Sequence, residues 1–269
     1  MARRVLLREK DGVAVYRTKK GILKVFRQKE HRREIRFYEI LQARGVPTLQ
    51  VLARKRNALL LEDLERSPAW RLGRAEDMDD PAIARAIAAW YRALHAAGRE
   101  YPALRELPGE TDVLTEENLR ALAERFPCEA FWPTLLANYA AFWARLQALP
   151  QTLTYNDFYW SNLAVARDGT AALMFDYNLA GRGTAYGDVR NVTFSLSEAA
   201  AEAFREAYGP VCPAEQRADA VAGVLVALWT AAQRKQFPQW GEALLAELAD
   251  GTLLQALEAL LEQETNDAA

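Results

Sequence analysis

The chain opens on short runs of alternating and β-branched residues. Val5–Arg8, Val13–Arg17 and Ile22–Phe26 are separated by Asp11-Gly12 and by Lys19-Lys20-Gly21, which predicts two consecutive hairpins. The period then lengthens. Phe37, Tyr38, Ile40 and Leu41 give one apolar face to a helix predicted over about Glu30–Ala43, and Gly45-Val46-Pro47 ends it. Leu49–Ala53 and Ala58–Glu62, joined through the basic turn Arg54–Asn57, predict two further strands. The opening stretch therefore reads as a five-stranded antiparallel sheet with one helix.

Beyond Glu62 helical periodicity takes over. Asp80-Pro81 supplies an N-cap and a first-turn proline, and Ile83, Ile87, Trp90, Tyr91 and Leu94 line one face as far as Gly98. Further helices are predicted over Thr115–Arg125, Phe131–Leu149, Ser197–Tyr208, Pro213–Lys235, Trp240–Ala249 and Thr252–Gln263, while Leu153–Asp188 returns to short strands and loops. The fold class is α+β, with a small sheet-rich lobe at 1–62, a larger, mostly helical lobe at 63–269 and a cleft between them.

Charge sharpens this division. Of the 269 residues, the first 60 carry 17 Lys or Arg against five Asp or Glu, and the other 209 carry 17 against 31. A basic opening suits an anionic ligand such as phosphate, and an acidic remainder suits a cationic one; two oppositely charged surfaces that attract each other would give the same count. The basic residues are scattered without interleaved aromatics, so no nucleic-acid partner is expected. No apolar run approaches the ~20 residues of a membrane span, and Val5–Leu7 is too short for a signal peptide. No membrane partner is expected, and the protein should be cytoplasmic. Cys128 and Cys212 form no metal-binding spacing and are expected to be buried free thiols. Only His31 and His95 are present, which excludes histidine-rich metal chemistry.

Candidate chemistry concentrates in Tyr155-Asn156-Asp157-Phe158-Tyr159-Trp160-Ser161-Asn162 and in Met174-Phe175-Asp176-Tyr177-Asn178. Apolar runs at Leu163–Ala166 and Ala171–Phe175, with Arg167-Asp168-Gly169 between them, predict a hairpin whose ends bring Asn162 beside Asp176. Mg²⁺ takes few protein oxygens together with substrate phosphates, which suits Asn162 and Asp176 as metal ligands. Asp157 would then face an incoming hydroxyl and orient it or accept its proton. The plainer alternative is that these are turn residues closing loops through their own side chains. Upstream, Lys24 interrupts the apolar strand Ile22–Phe26, and an enclosed ammonium there needs an anionic partner; as an edge-strand lysine it would instead reach solvent. Tyr159 and Trp160 read as core packing in preference to a stacking surface.

These motifs, in this order, resemble the aminoglycoside phosphotransferase and choline kinase branch of the protein-kinase-like fold, whose catalytic loop reads H-x-D-x-x-x-x-N with a metal-binding aspartate on the next strand. The resemblance spans about residues 5–210. It implies ATP and Mg²⁺ as cofactors and a hydroxyl on a small molecule as acceptor. By the same resemblance Asp157 is catalytic, Asn162 and Asp176 hold the metal, and Lys24 grips the α- and β-phosphates. Glu34, on the helical face it shares with Tyr38 and Leu41, is the implied partner of Lys24, with Glu30 second. Backbone groups of Glu62 and Leu64 would bind the adenine edge, and Asp188 of Gly187-Asp188 would brace the catalytic loop.

Three departures matter: Tyr155 stands where the family has His, a bracing position its hydroxyl could serve; Asn156 stands where a small residue is common; and the first hairpin has a single glycine. They keep open a second reading, a catalytically impaired kinase-like protein that binds nucleotide or another ligand. Only ten residues separate Asp176 from Gly187, leaving little room for a peptide-docking segment and favouring a small acceptor. Acidic residues on the later helices (Glu198, Glu202, Glu206, Glu215 and Asp219) suit a cationic acceptor such as an aminoglycoside or amino alcohol. The oligomeric state is not legible.

Overall fold

The computed structural model describes residues 4–10 and 12–262, apart from the side chain of Glu30. Asp11 of the first turn, and Glu30 as a partner for Lys24, therefore lie outside the described residues. The strands are β1 (Val5–Lys10), β2 (Val13–Arg17), β3 (Ile22–Phe26), β4 (Val51–Lys55), β5 (Ala58–Leu61), β6 (Trp70–Leu72), β7 (Thr152–Thr154), β8 (Leu163–Ala166), β9 (Ala172–Met174) and β10 (Gly181–Gly183). The α-helices are α1 (Arg33–Ala43), α2 (Pro81–Arg99), α3 (Glu116–Arg125), α4 (Phe131–Ala137), α5 (Tyr139–Ala148), α6 (Ala185–Ser195), α7 (Glu198–Tyr208), α8 (Pro213–Ala232), α9 (Gln239–Ala249) and α10 (Thr252–Glu262). Contact density groups them into two compact units, one of residues 1–104, 152–181 and 188–210, the other of 105–151, 182–187 and 211–269.

In the first unit the five opening strands pair antiparallel in the order β1-β2-β3-β5-β4, as the alternation predicts. β3 is paired on both sides, with Lys24 opposite Val15 of β2 and Leu59 of β5. The apolar face of α1, with Phe37, Tyr38 and Leu41, joins Phe26, Leu59 and Leu61 in the buried core. The helix starts as a 3-10 turn at Glu30–Arg32 and becomes α-helical only at Arg33.

A second antiparallel sheet, in the order β6-β8-β9, carries the chemistry-bearing loops at its ends. Packed beside it is α2, capped by Asp80, whose carboxylate accepts from the Ala82 N–H at 2.8 Å. Ile83, Ile87, Trp90, Tyr91 and Leu94 are all buried, as the 3.6-residue period requires, and α7 packs alongside.

The second unit is a helical bundle. α8 packs against α9 and α10, and Leu119, Phe131, Phe142, Leu225 and Leu257 are central to its core. The helix expected over Phe131–Leu149 is broken at Asn138, whose side-chain amide donates to the Thr134 carbonyl at 2.8 Å. Cys128 and Cys212 are free thiols but only half-buried, so their expected full burial is corrected. No described helix is long and apolar enough to cross a membrane.

Candidate active site

Strand β3 aims Lys24 into the first unit, where the residue is only 7% exposed. Glu34, one residue into α1 and 1% exposed, holds it with both carboxylate oxygens, at 2.8 and 2.6 Å. The third contact crosses the chain: Lys24 Nζ donates to Asp176 Oδ1 at 2.9 Å. Burial opposes the ammonium charge, but Glu34 and Asp176 outweigh it, and the lysine pKa is raised. Burial pushes Glu34 up to about 7, with Lys24 acting in the opposite direction.

Asp157 and Asn162 meet inside one loop. The Asn162 amide donates from Nδ2 to Asp157 Oδ2 at 2.9 Å and to the Asp157 carbonyl at 3.1 Å. Committing Nδ2 in this way fixes the amide orientation and leaves Oδ1 as a free hard-oxygen donor. Asp176 likewise keeps one carboxylate oxygen beyond its bond to Lys24. The β8–β9 pairing sets the approach of these residues, with Leu163 opposite Met174 and the Phe175 N–H donating to the Asn162 carbonyl at 3.0 Å. Burial, and then the charge of Asp176, push the Asp157 pKa up to about 6.

Both turns are left-handed, with φ of 63° at Asn156 and 67° at Asp176. For a non-glycine residue this backbone costs on the order of 1–2 kcal/mol and persists only where the surroundings over-determine it. Asp188, fully buried, supplies part of that constraint. It accepts the Tyr155 N–H at 2.8 Å and the Asn156 N–H at 2.9 Å. His95 lies 3.2 Å from Asp188 through Nε2 and 2.8 Å from the Tyr208 hydroxyl through Nδ1, so this buried histidine is satisfied by its neighbours.

Next to Lys24 lies a cavity of about 230 Å³, with an apolar lining that includes Val15, Ile22, Leu49, Leu61 and Phe175. Glu62 and Leu64 line the same cavity. The Glu62 N–H is taken by the Gln50 carbonyl at 3.0 Å, and its carboxylate by the Gln50 N–H and the Ser67 hydroxyl. Among the described residues the Glu62 carbonyl and the Leu64 N–H have no partner, which leaves one acceptor and one donor for a flat heterocycle. A second cavity, of about 440 Å³, shares Lys24 and Asp176 and adds Arg8, Lys10 and His31; the charges of Arg8 and Lys10 suit phosphate. Among the described residues no three His, Cys, Asp or Glu side chains cluster as a complete metal site, so a cation here would need oxygens from its substrate.

The structure thus brings Lys24, Glu34, Asp157, Asn162 and Asp176 together, with Glu62 and Leu64 lining the adjoining apolar cavity. One expectation is corrected: Tyr159 is 54% exposed and does not pack in the core, because Phe158 turns inward and Tyr159 outward, while Trp160 is half-buried. Sequence reading passed over Arg8, Val15, Leu49 and Leu72. Cross-strand pairing of Val15 with Lys24 would have found the first cavity wall, whereas Leu72 sits on a strand too short to show a period.

The model of the phosphotransferase enzyme family matches residues 4–221. The chain belongs to that family. Phosphotransferases of known structure share its protein-kinase-like fold. Choline kinase LicA from Streptococcus pneumoniae superposes with a TM-score of 0.60 at 13% identity, covering 96% of this chain and 93% of that one. Macrolide 2'-phosphotransferase MphH from Brachybacterium faecium gives 0.53 at 18% identity, covering 92% and 91%. The APH(2")-IIa chain of a streptomycin–ATP ternary complex gives 0.59 at 13% identity, covering 87% of each chain. No curated protein sequence matches the chain. This phosphotransferase-family member is therefore tied to these structures by fold rather than by close sequence identity.

Proposed function

We propose that the protein transfers the γ-phosphoryl group of ATP to a hydroxyl of a small molecule, with Mg²⁺ as cofactor. The observation that supports this best is the enclosed Lys24 ammonium held between Glu34 and Asp176 where the apolar and cationic cavities meet. In this reading the Glu62 carbonyl and Leu64 N–H take the adenine edge, and Lys24, positioned by Glu34, takes the α- and β-phosphates. Asn162 Oδ1 and the Asp176 carboxylate hold the cation, which when bound screens charge on the phosphates. Asp157, with Oδ2 fixed by Asn162, presents its other oxygen to the acceptor hydroxyl. The acceptor oxygen forms a bond to γ-phosphorus, the bond to the ADP oxygen breaks, and Asp157 orients the hydroxyl and takes its proton. At neutral pH a carboxyl with a pKa of about 6 is mostly ionised, as this role needs.

The division into a nucleotide lobe at 1–62 and a catalytic and acceptor lobe at 63–269 belongs to this proposal, as does a cytoplasmic location, where ATP is supplied. The acidic helix residues make a cationic amino alcohol or amino sugar the acceptor class to test first. ADP release should be measured with Mg-ATP alone and with choline, ethanolamine and streptomycin. Asp157→Asn should lose about 10²–10⁴ of the turnover while keeping the thermal stabilisation by Mg-ATP; unchanged turnover overturns the role given to Asp157. Gly12, the single glycine of the first hairpin, favours the second reading, of a ligand-binding protein impaired in catalysis. That reading predicts Mg-ATP stabilisation with no ADP formed by the wild type.

A further inference from the structure

Arg17 leaves β2 beside the apolar cavity and reaches the turn that follows β5. Val15 and Arg17 alternate onto one face of β2, opposite Lys24 and Ile22 of β3, and all four residues line that cavity. The Arg17 guanidinium holds two carboxylates at once: Nε lies 3.0 Å from Asp63 Oδ2, and Nη2 lies 2.7 Å from Glu65 Oε1. Asp63 is 6% exposed, a carboxylate that needs a cation where it sits. Arg66 approaches the same oxygen more loosely, at 3.4 Å. Leu64 lies between the two residues that Arg17 anchors. Inside this turn the Glu65 N–H goes to Asp63 Oδ1 at 3.3 Å and the Arg66 N–H to the Asp63 carbonyl at 2.9 Å. The Leu64 N–H takes part in neither bond and lies beside the cavity as a donor for a ligand.

We propose that Arg17 is a positioning residue for the nucleotide base: by gripping Asp63 and Glu65 on either side of Leu64, it fixes the direction of the Leu64 N–H. Adenine offers a matching edge, with its amino group as donor and the neighbouring ring nitrogen N1 as acceptor. A hydrogen bond weakens steeply as its angle departs from linear. A turn released from Arg17 would therefore keep its donor but aim it less well. The proposal rests on the reading of Glu62 and Leu64 as the partners of the adenine edge, and the test separates the two.

Binding of ATP, 1-deaza-ATP and inorganic tripolyphosphate, each with Mg²⁺, is measured by calorimetry for the wild type, Arg17→Met and Glu65→Ala. In 1-deaza-ATP a C–H replaces N1, and tripolyphosphate has no base. The Glu65 side chain is 56% exposed, so its truncation removes one arm of the grip outside the core and serves if Arg17→Met does not fold. The wild type should bind ATP ~10-fold more tightly than 1-deaza-ATP, in the range of one hydrogen bond. Arg17→Met should bind ATP at least ~5-fold more weakly than the wild type does, with 1-deaza-ATP and tripolyphosphate little changed. The gap between the two nucleotides then closes, because the substitution and the missing N1 act on one bond and their effects do not add. Glu65→Ala should narrow the same gap by a smaller factor. A gap as wide in the folded variants as in the wild type overturns the role of Arg17 and leaves the adenine reading standing. So does an equal loss for all three ligands, which would make Arg17 a general support of the fold, and so does an equal loss for the two nucleotides alone, which would put Arg17 in direct contact with the nucleoside. A wild type with no gap overturns the placement of adenine on Leu64, and the role of Arg17 with it.

Discussion

Asp77 shows how much a single side chain contributes outside the candidate site. Its carboxylate takes both guanidinium nitrogens of Arg71 at 2.7 Å and the Arg74 N–H at 2.8 Å, closing the turn that follows β6. Burial alone would raise its pKa, but the Arg71 fork and the Arg74 N–H outweigh it and hold it below the usual aspartate range. A depressed carboxyl adds stability above its unfolded pKa and loses it as pH falls through the folded one. Asp77→Asn should therefore cost about 1–3 kcal/mol at pH 7, with the gap to the wild type closing below about pH 4, as read by urea unfolding across pH. A gap that is the same at pH 3 and pH 7 contradicts this. At this scale the sequence was informative where chemistry repeats a spacing. An ammonium inside an apolar strand demands a partner, and the family resemblance implied Glu34, on the helix face it shares with Tyr38 and Leu41, as that partner. Arg71 and Asp77 could not be paired in this way, since the five residues between them carry no period, and Tyr159 misled because an aromatic residue is as compatible with a core as with a surface.

Among elements, α2 makes the tightest demand. At Gly98 it runs so close to β7 that a Cβ would sit 2.1 Å from the Leu153 nitrogen and 2.2 Å from Thr152 Oγ1. The obstacle includes backbone, so it cannot turn aside. Gly98→Ala should cost ~3 kcal/mol or more of stability, measured as a fall in the unfolding midpoint; a loss under ~0.5 kcal/mol, ordinary for a surface substitution, would show that α2 and β7 are not held this closely. The strands and α2 were legible because their periods and caps are strong. α6 was not, as its sequence Ala185–Ser195 mixes Gly, Val, Thr and Ser, which favour helix weakly. The break at Asn138 was missed for the opposite reason: the residues on either side favour helix, and one side-chain bond to a carbonyl ends it.

For the whole molecule, the charge division between the first 60 residues and the rest agrees with the cationic lining contributed by Arg8, Lys10 and Lys24. Contact density places β7, β8, β9 and α2 in the same compact unit as the opening sheet. A composition boundary could not reveal this, since it depends on segments distant in sequence. The account stands on Lys24, Asn162 and Asp176 forming one Mg-ATP site, and calorimetric titration of ATP with and without Mg²⁺ tests that most directly. The wild type should bind ATP at least ~10-fold more tightly with Mg²⁺ than in EDTA, a difference of about 1.4 kcal/mol. Asp176→Asn should lose that difference. Equal affinity in both buffers, or a Mg²⁺ effect that survives Asp176→Asn, would contradict it.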